Sequence, residues 1–389
     1  MSTPAANVVK IDWKQVCPWM ILFQTIGLAF HLRQIFVGLV AAGLIALAQW
    51  YIQGVALPYA NLPCDLTHQL WSRWPLAPLV DLVSPIWVAG CVVSLSDANS
   101  TPGPVLIWSG LTWYGLARCC LLVTWTLLIG GLAGGILSRR AAFQFAREES
   151  VSLWQTTQFV LKRAIDYLSA PILPLCGVIA IGLCGLLAGW LANGIPNATS
   201  GLAAIWIVPW AFGVLAACLL FTVFAGWPMM VAAVSVNAGD GFDALSRGFG
   251  FVLDRWRYYA WCTLLMIAYG NLAIFIILTA LSWGDSLASE SISLGLGTQP
   301  HAAWTLTAEN NPWYWTISLL LTGFAYSYFW SGMTLIYVLL RKSLDNAELT
   351  DIFVDAGTAE EDDLGALLNK NPPSEPPTLL PIIDLPAGR

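Results

Sequence analysis

Residues 171–192 read PILPLCGVIAIGLCGLLAGWLA, a stretch without a single charge. A helix of this length rises about 33 Å, and the hydrocarbon core of a bilayer is about 30 Å thick. A helix on the surface of a soluble domain would show a polar face every few residues, and this one shows none. The segment therefore reads as a membrane span. Five more follow on either side: Ile35–Val55, a span inside Val105–Leu137 placed at Ala117–Leu137, Ala203–Trp227, Tyr258–Ser282 and Trp313–Leu340. Pro209, inside the fourth span in chain order, is expected to kink it.

Composition agrees with this reading over the whole chain. Of 389 residues, 57% are apolar and 10% charged, with a mean hydropathy of +0.68. Soluble domains carry about 25% charged residues. A secreted disulfide scaffold, a disordered chain and a nucleic-acid binder are excluded together. The expected fold is an all-α polytopic membrane helix bundle of six transmembrane helices, with no nucleic-acid partner and the lipid bilayer as its main one.

Lys and Arg resist translocation, so their distribution orients the spans. Lys10, Lys14 and Arg33 precede the first span, and Arg139, Arg140, Arg147, Lys162 and Arg163 lie between the second and third. Arg247, Arg255 and Arg257 lie between the fourth and fifth, and Arg341, Lys342, Lys370 and Arg389 follow the sixth. The opposite loops hold only Arg73, with Arg118 close to that face. Both termini are expected in the cytoplasm and the chain in the cytoplasmic (inner) membrane. Ala46-Leu47-Ala48 has the form of a signal-peptide cleavage site, but a 33-residue leader and an apolar segment of spanning length favour an uncleaved anchor.

The linkers entering the third and fifth spans look amphipathic. Val151, Trp154, Gln158, Leu161, Ile165 and Leu168 recur at helical spacing, with Gln158 the one polar break. Phe242, Leu245, Phe249 and Val252 repeat the pattern, with Asp243 and Arg247 at the spacing of an i,i+4 ion pair. Both are expected to lie in the cytoplasmic headgroup plane. An internal repeat supports the arrangement: shifted by 92 positions, Leu153, Phe159, Val160, Leu161, Arg163 and Tyr167 fall on Leu245, Phe251, Val252, Leu253, Arg255 and Tyr259. A fainter copy aligns Leu22-Phe23-Gln24-Thr25 with Leu153-Trp154-Gln155-Thr156. The implied unit, an interfacial helix and two spans, is used three times.

Domain organisation follows the charge. Residues 1–344 form the membrane domain, and residues 345–389 hold ten of the chain's 23 acids and six prolines against Lys370 and Arg389. Such a segment cannot bury enough apolar area to offset its chain entropy and is expected to be a disordered cytoplasmic tail. Its apolar islands Leu349–Val354 and Leu379–Ile383 suit docking of a protein partner, and Glu360–Asp363 suits steering it there.

The strings Arg139-Arg140-Ala141-Ala142, Ala146-Arg147-Glu148-Glu149, Ala170-Pro171, Leu173-Pro174-Leu175, Gly226-Trp227-Pro228-Met229 and Asp243-Ala244-Leu245-Ser246-Arg247 resemble an uncharacterised family of multi-pass membrane proteins from planctomycete-type bacteria. The resemblance spans residues 20–340 and implies a fold and a compartment, with no activity attached. The chain departs from it at Leu253–Arg257, where Trp256 stands in place of a proline after the arginine.

Catalysis in a membrane needs ionisable groups at depth, and among the six predicted spans only Arg118 qualifies. It lies near an outer helix end, where it can snorkel, or contact a lipid headgroup or another anion. No zinc, phosphate-loop, serine-hydrolase or Cys-x-x-Cys signature occurs, so no catalytic residue, cofactor or metal is expected. Cys64 and Cys91 share the outer compartment, where a disulfide can form. Gly130, Gly131, Gly134 and Gly135 place small residues on one helix face, for packing within the bundle or for a homo-oligomer. Ser318, Thr322 and Tyr326, every fourth residue, form a candidate polar seam that Asn271 could face. The leading expectation is a non-enzymatic scaffold or accessory subunit that recruits a partner through its tail. The alternative is a transporter or channel for a neutral or lipidic solute.

Overall fold

The computed structural model describes residues 17–53, 73–77, 113–193, 207–296, 312–349 and 351–353. The chain divides into two units, Met1–Asp351 and Ile352–Arg389, and of the second only Ile352 and Phe353 are described. Cys64, Cys91 and nearly all of the tail lie outside the described residues.

Among the described residues the fold is wholly helical. A 3₁₀ turn, Pro18–Gln24, leads into α1 (Thr25–Ala29); then come α2 (Leu32–Gln53), α3 (Trp113–Arg147), α4 (Leu153–Lys162), α5 (Ala164–Asn193), α6 (Ile207–Asn237), α7 (Gly241–Asp254), α8 (Trp256–Leu296) and α9 (Pro312–Asp345). Six of these, α2, α3, α5, α6, α8 and α9, are long and apolar enough to cross a membrane. They coincide with the six predicted spans and overrun most of them. α5 begins seven residues before Pro171 and passes through both Pro171 and Pro174, and α8 continues to Leu296. Pro209 is the third residue of α6 as described, and the residues before Ile207, which would decide the expected kink, lie outside the described residues. The proline inside α6 is Pro228.

The short helices begin where their side chains offer caps. Ser152 accepts from the Gln155 amide at 3.3 Å ahead of α4, and Asp240 from the Asp243 amide at 2.8 Å ahead of α7. Both end on an arginine, Arg163 or Arg255, after which the chain turns at once into a span. The amphipathic face predicted from Val151 to Leu168 is therefore divided: Ile165 and Leu168 belong to α5, because the turn at Arg163 ends α4. Burial agrees at several positions paired by the 92-residue shift and differs at Arg163 and Arg255 and at Tyr167 and Tyr259. Phe159 and Val160 are buried, as are Phe251 and Val252, while Leu161 and Leu253 are exposed. In the faint third copy Thr25 is as buried as Thr156, and Phe23 is exposed as Trp154 is. Trp154, Leu161 and Ile165, and Phe242, Leu253 and Trp256, remain uncovered by protein. Amphipathic helices in a headgroup plane present such faces.

The six spans do not share the interior equally. Over its apolar 18-residue stretch α9 is 89% buried, against 6% for that of α5 and 11% for that of α6. α9 touches α1, α2, α3, α6, α7 and α8, and so forms the axis of the bundle. Small residues let it in. A side chain at Gly323 would meet the Ile35 carbonyl at 2.6 Å, and one at Gly38 would run into the Gly323 carbonyl, so α2 and α9 cross glycine against glycine.

Candidate functional site

At one end of the bundle α3, α6 and α9 finish while α2, α5 and α8 begin; this basic end is where the polar chemistry gathers. Each outgoing helix leaves through a left-handed residue that is not glycine: Glu148 (φ 57°), Ala238 (φ 55°) and Asn346 (φ 52°). The last carbonyls of a helix have no partner within it, and those of α6 are met by arginines from elsewhere. Arg139 Nη1 donates to the Ser235 carbonyl at 3.0 Å, and Arg163 Nη1 donates to the carbonyls of Ala238 and Gly239. Both cations suit the negative end of the α6 dipole. The Phe159 ring lies between them, 3.4 Å from the Arg139 guanidinium carbon and 5.3 Å from that of Arg163. The Tyr167 hydroxyl is 2.9 Å from Ser235 Oγ, which also donates to the Val231 carbonyl at 2.8 Å. A few residues thus pin α4, α5 and α3 to the end of α6.

The same end ties the other half of the bundle. Asn237 Nδ2 donates to the Tyr337 hydroxyl at 2.6 Å, the Tyr337 ring packs on Phe251, and the expected pair of Asp243 and Arg247 forms at 2.8 Å. The Asp243 carboxylate holds the Arg247 guanidinium further toward its charged form than usual. A separate chain runs from Ser327 Oγ to Gln34 Oε1 at 3.2 Å and from Gln34 Nε2 to Gln144 Oε1 at 3.4 Å, and Gln144 also bonds His31.

Arg139 and Arg140 correct an expectation. Counted as charges of a linker, they lie inside α3 and are only 4% and 6% exposed. The signal was available: no Gly, Pro, Asn or Asp separates Leu137 from Ala146, so nothing there ends the helix. Arg73, in the segment between the first two spans, is not solvated: it is 4% exposed and donates from Nη1 to the Ser318 carbonyl at 3.0 Å and to Ser318 Oγ at 3.2 Å. Trp74 beside it donates to Asn271 Oδ1 at 3.0 Å and packs edge-on against Tyr328 and Phe329. The predicted seam is thus brought together only in part. Ser318 and Thr322 are joined by a bond from Thr322 Oγ1 to the Ser318 carbonyl at 2.9 Å, Asn271 meets Trp74, and Tyr326 is buried beside Ala41, Ala42, Ile45 and Ala133. Nothing in the sequence marks the Arg73-Trp74 pair for burial.

The four glycines seat rings from the same chain. A methyl at Gly130 would lie 2.8 Å from Trp227, at Gly134 2.6 Å from Trp330, and at Gly135 2.8 Å from Tyr167, while Gly131 faces the Tyr167 backbone. Trp227 and Trp330 meet edge to face at 5.4 Å. Arg118 is in α3, but its side chain is outside the described residues. Cys120, Cys176, Cys184 and Cys218 are exposed on spans. Among the described residues no three His, Cys, Asp or Glu side chains gather to hold a metal ion.

No family model matches this chain, and no curated protein or solved structure is similar to it. Span architecture and site geometry define the class: a multi-pass integral membrane protein with a polar node at one end of its bundle.

Proposed function

We propose that this protein is a non-enzymatic scaffold or accessory subunit of the cytoplasmic membrane, with the basic end, both termini and the short helices facing the cytoplasm. One observation carries the reading. The axis of the bundle, where a transport path or an intramembrane site would need space, is filled by α9, and rings sit on glycines along it: Trp330 on Gly134 and Tyr328 on Gly270. A body built this way presents surfaces, and residues 352–389 supply an acidic segment with an apolar island for a soluble partner. The strings that resemble the planctomycete-type family cluster near the basic-end node, which supports reading that resemblance as one of fold.

The test compares the full chain with a version ending at Asp351, which keeps the Arg341–Asp351 ion pair. Equal membrane accumulation and melting are expected, with loss of one co-purifying protein that rebinds the isolated tail. A truncated body that fails to fold, or a full chain that retains nothing more, overturns the reading.

A transporter or channel for a neutral or lipidic solute is the second reading, favoured by Arg73 and Trp74 closing the polar seam. On that reading Arg73→Ala produces solute leak in proteoliposomes; an unchanged leak leaves the scaffold.

A further inference from the structure

Among the described residues the node offers Arg140 no acid. Arg140 gives one bond, from Nη1 to the Val151 carbonyl at 2.9 Å, and its buried Nε has no partner. No carboxylate among the described residues pairs with it. A second cation stands beside it. Gln144, one turn along the same face of α3, binds His31 and Gln34, which places the intervening Arg33 at the same level. Arg33 lies close enough for its charge to bear on Arg140. Two guanidinium groups with no shared counter-ion repel each other, and burying one of them unpaired is costly.

The surroundings indicate what completes the pair. Arg140 lies three residues, about 4.5 Å of helix, past Leu137, where the apolar run of α3 ends, a position suited to headgroup depth. Arg33 heads a stripe of α2 that the bundle leaves uncovered: Phe36, Val40, Leu44, Leu47 and Tyr51 follow it at helical spacing, all exposed. An anion held between the arginines would have a strip of apolar surface running from it into the bilayer.

We propose that Arg33 and Arg140 form a binding site for a phosphate group, that of an anionic phospholipid whose acyl chain lies along the exposed stripe of α2. Guanidinium groups bind phosphate oxygens with paired, charge-assisted bonds, and a phosphodiester supplies the charge this corner lacks.

The test uses the delipidated full-length protein in a neutral detergent, followed by thermal melting. Phosphatidylglycerol is expected to raise Tm by about 5 °C at saturation. Arg33→Gln, an exposed change, should weaken its apparent affinity at least about tenfold, as should Arg140→Gln, while Arg257→Gln at the start of α8 should not. If Arg140→Gln fails to fold, Arg33→Gln decides. Inorganic phosphate that reproduces the shift without lipid, and loses it in Arg33→Gln, supports the phosphate site and makes its source a soluble anion. The proposal falls if diacylglycerol, which has no phosphate, acts as well as phosphatidylglycerol. It falls equally if neither probe shifts Tm, if Arg33→Gln responds like the parent, or if Arg257→Gln loses as much as Arg33→Gln.

Discussion

Two kinds of glycine in this chain should respond oppositely to one added methyl group. At Gly134 the new carbon would sit 2.6 Å from the Trp330 ring, which is itself wedged against Trp227, so neither ring can retreat. Gly134→Ala should cost about 1–3 kcal/mol, read as a lower Tm in detergent. Gly182 and Gly189 have open space around them, and either changed to Ala should leave stability unaltered or raise it by up to about 1 kcal/mol. Tyr167→Phe removes the hydroxyl that meets Ser235 and should cost about 1 kcal/mol, with Ser235→Ala adding less than its own cost in the double variant. At this scale the glycine pattern was legible because spacing alone defines a face. The rings that fill it were not, since they come from helices about 30 to 200 positions away. The burial of Arg139, Arg140 and Arg73 was missed for a related reason: a count of basic residues treats each as solvated, whereas a guanidinium can bury itself by capping carbonyls.

For the short helices, the prediction concerns what covers them. Trp154 and Phe242 touch little of the protein, so their exposure is tolerable only if lipid headgroups and acyl chains cover them. Trp154→Glu and Phe242→Glu should each cost about 2 kcal/mol in bilayer nanodiscs, while Trp154→Phe should cost little. Measured as membrane accumulation and melting, wild-type behaviour from both charged variants would mean that these faces meet water. In α7 the exposed Phe242 is the position to test, since Phe249 is half-buried. The starts of these helices could be read from Ser152 and Asp240, whose side chains cap them. Their ends could not, because Arg163 and Arg255 carry no breaker chemistry; the chain turns at Arg163 as that side chain reaches the carbonyls at the end of α6.

For the whole molecule, span number was the strongest inference from sequence, because length and hydropathy act locally. Orientation remains a proposal with a direct test. In intact cells an impermeant thiol reagent should label a cysteine placed at Ser291, beyond the apolar part of α8, and miss one placed at Ser150 between α3 and α4, once native reactive thiols are removed. The reverse pattern would invert the molecule. The central role of α9 left one trace in the sequence: its hydropathy is 1.2, where the other spans have 2.0 to 2.3. A helix shielded from lipid can carry Ser318, Thr322, Ser327, Ser331 and Thr334 without exposing them to hydrocarbon. That is why serines and threonines suggesting a polar seam turn out to mark an axis.

The axis is also the last of the six spans to be translated. Roughly 280 residues separate the start of α2 from the start of α9, which at 5–20 residues per second is about 14–56 s of synthesis. Throughout that interval the ribosome delivers five helices whose common partner does not yet exist. Gly134 and Gly38 then face lipid or the insertion machinery, and Arg73 has no Ser318 to reach. A nascent chain halted before Pro312 should therefore be inserted but unassembled, and a target for membrane proteases, however complete its first five spans.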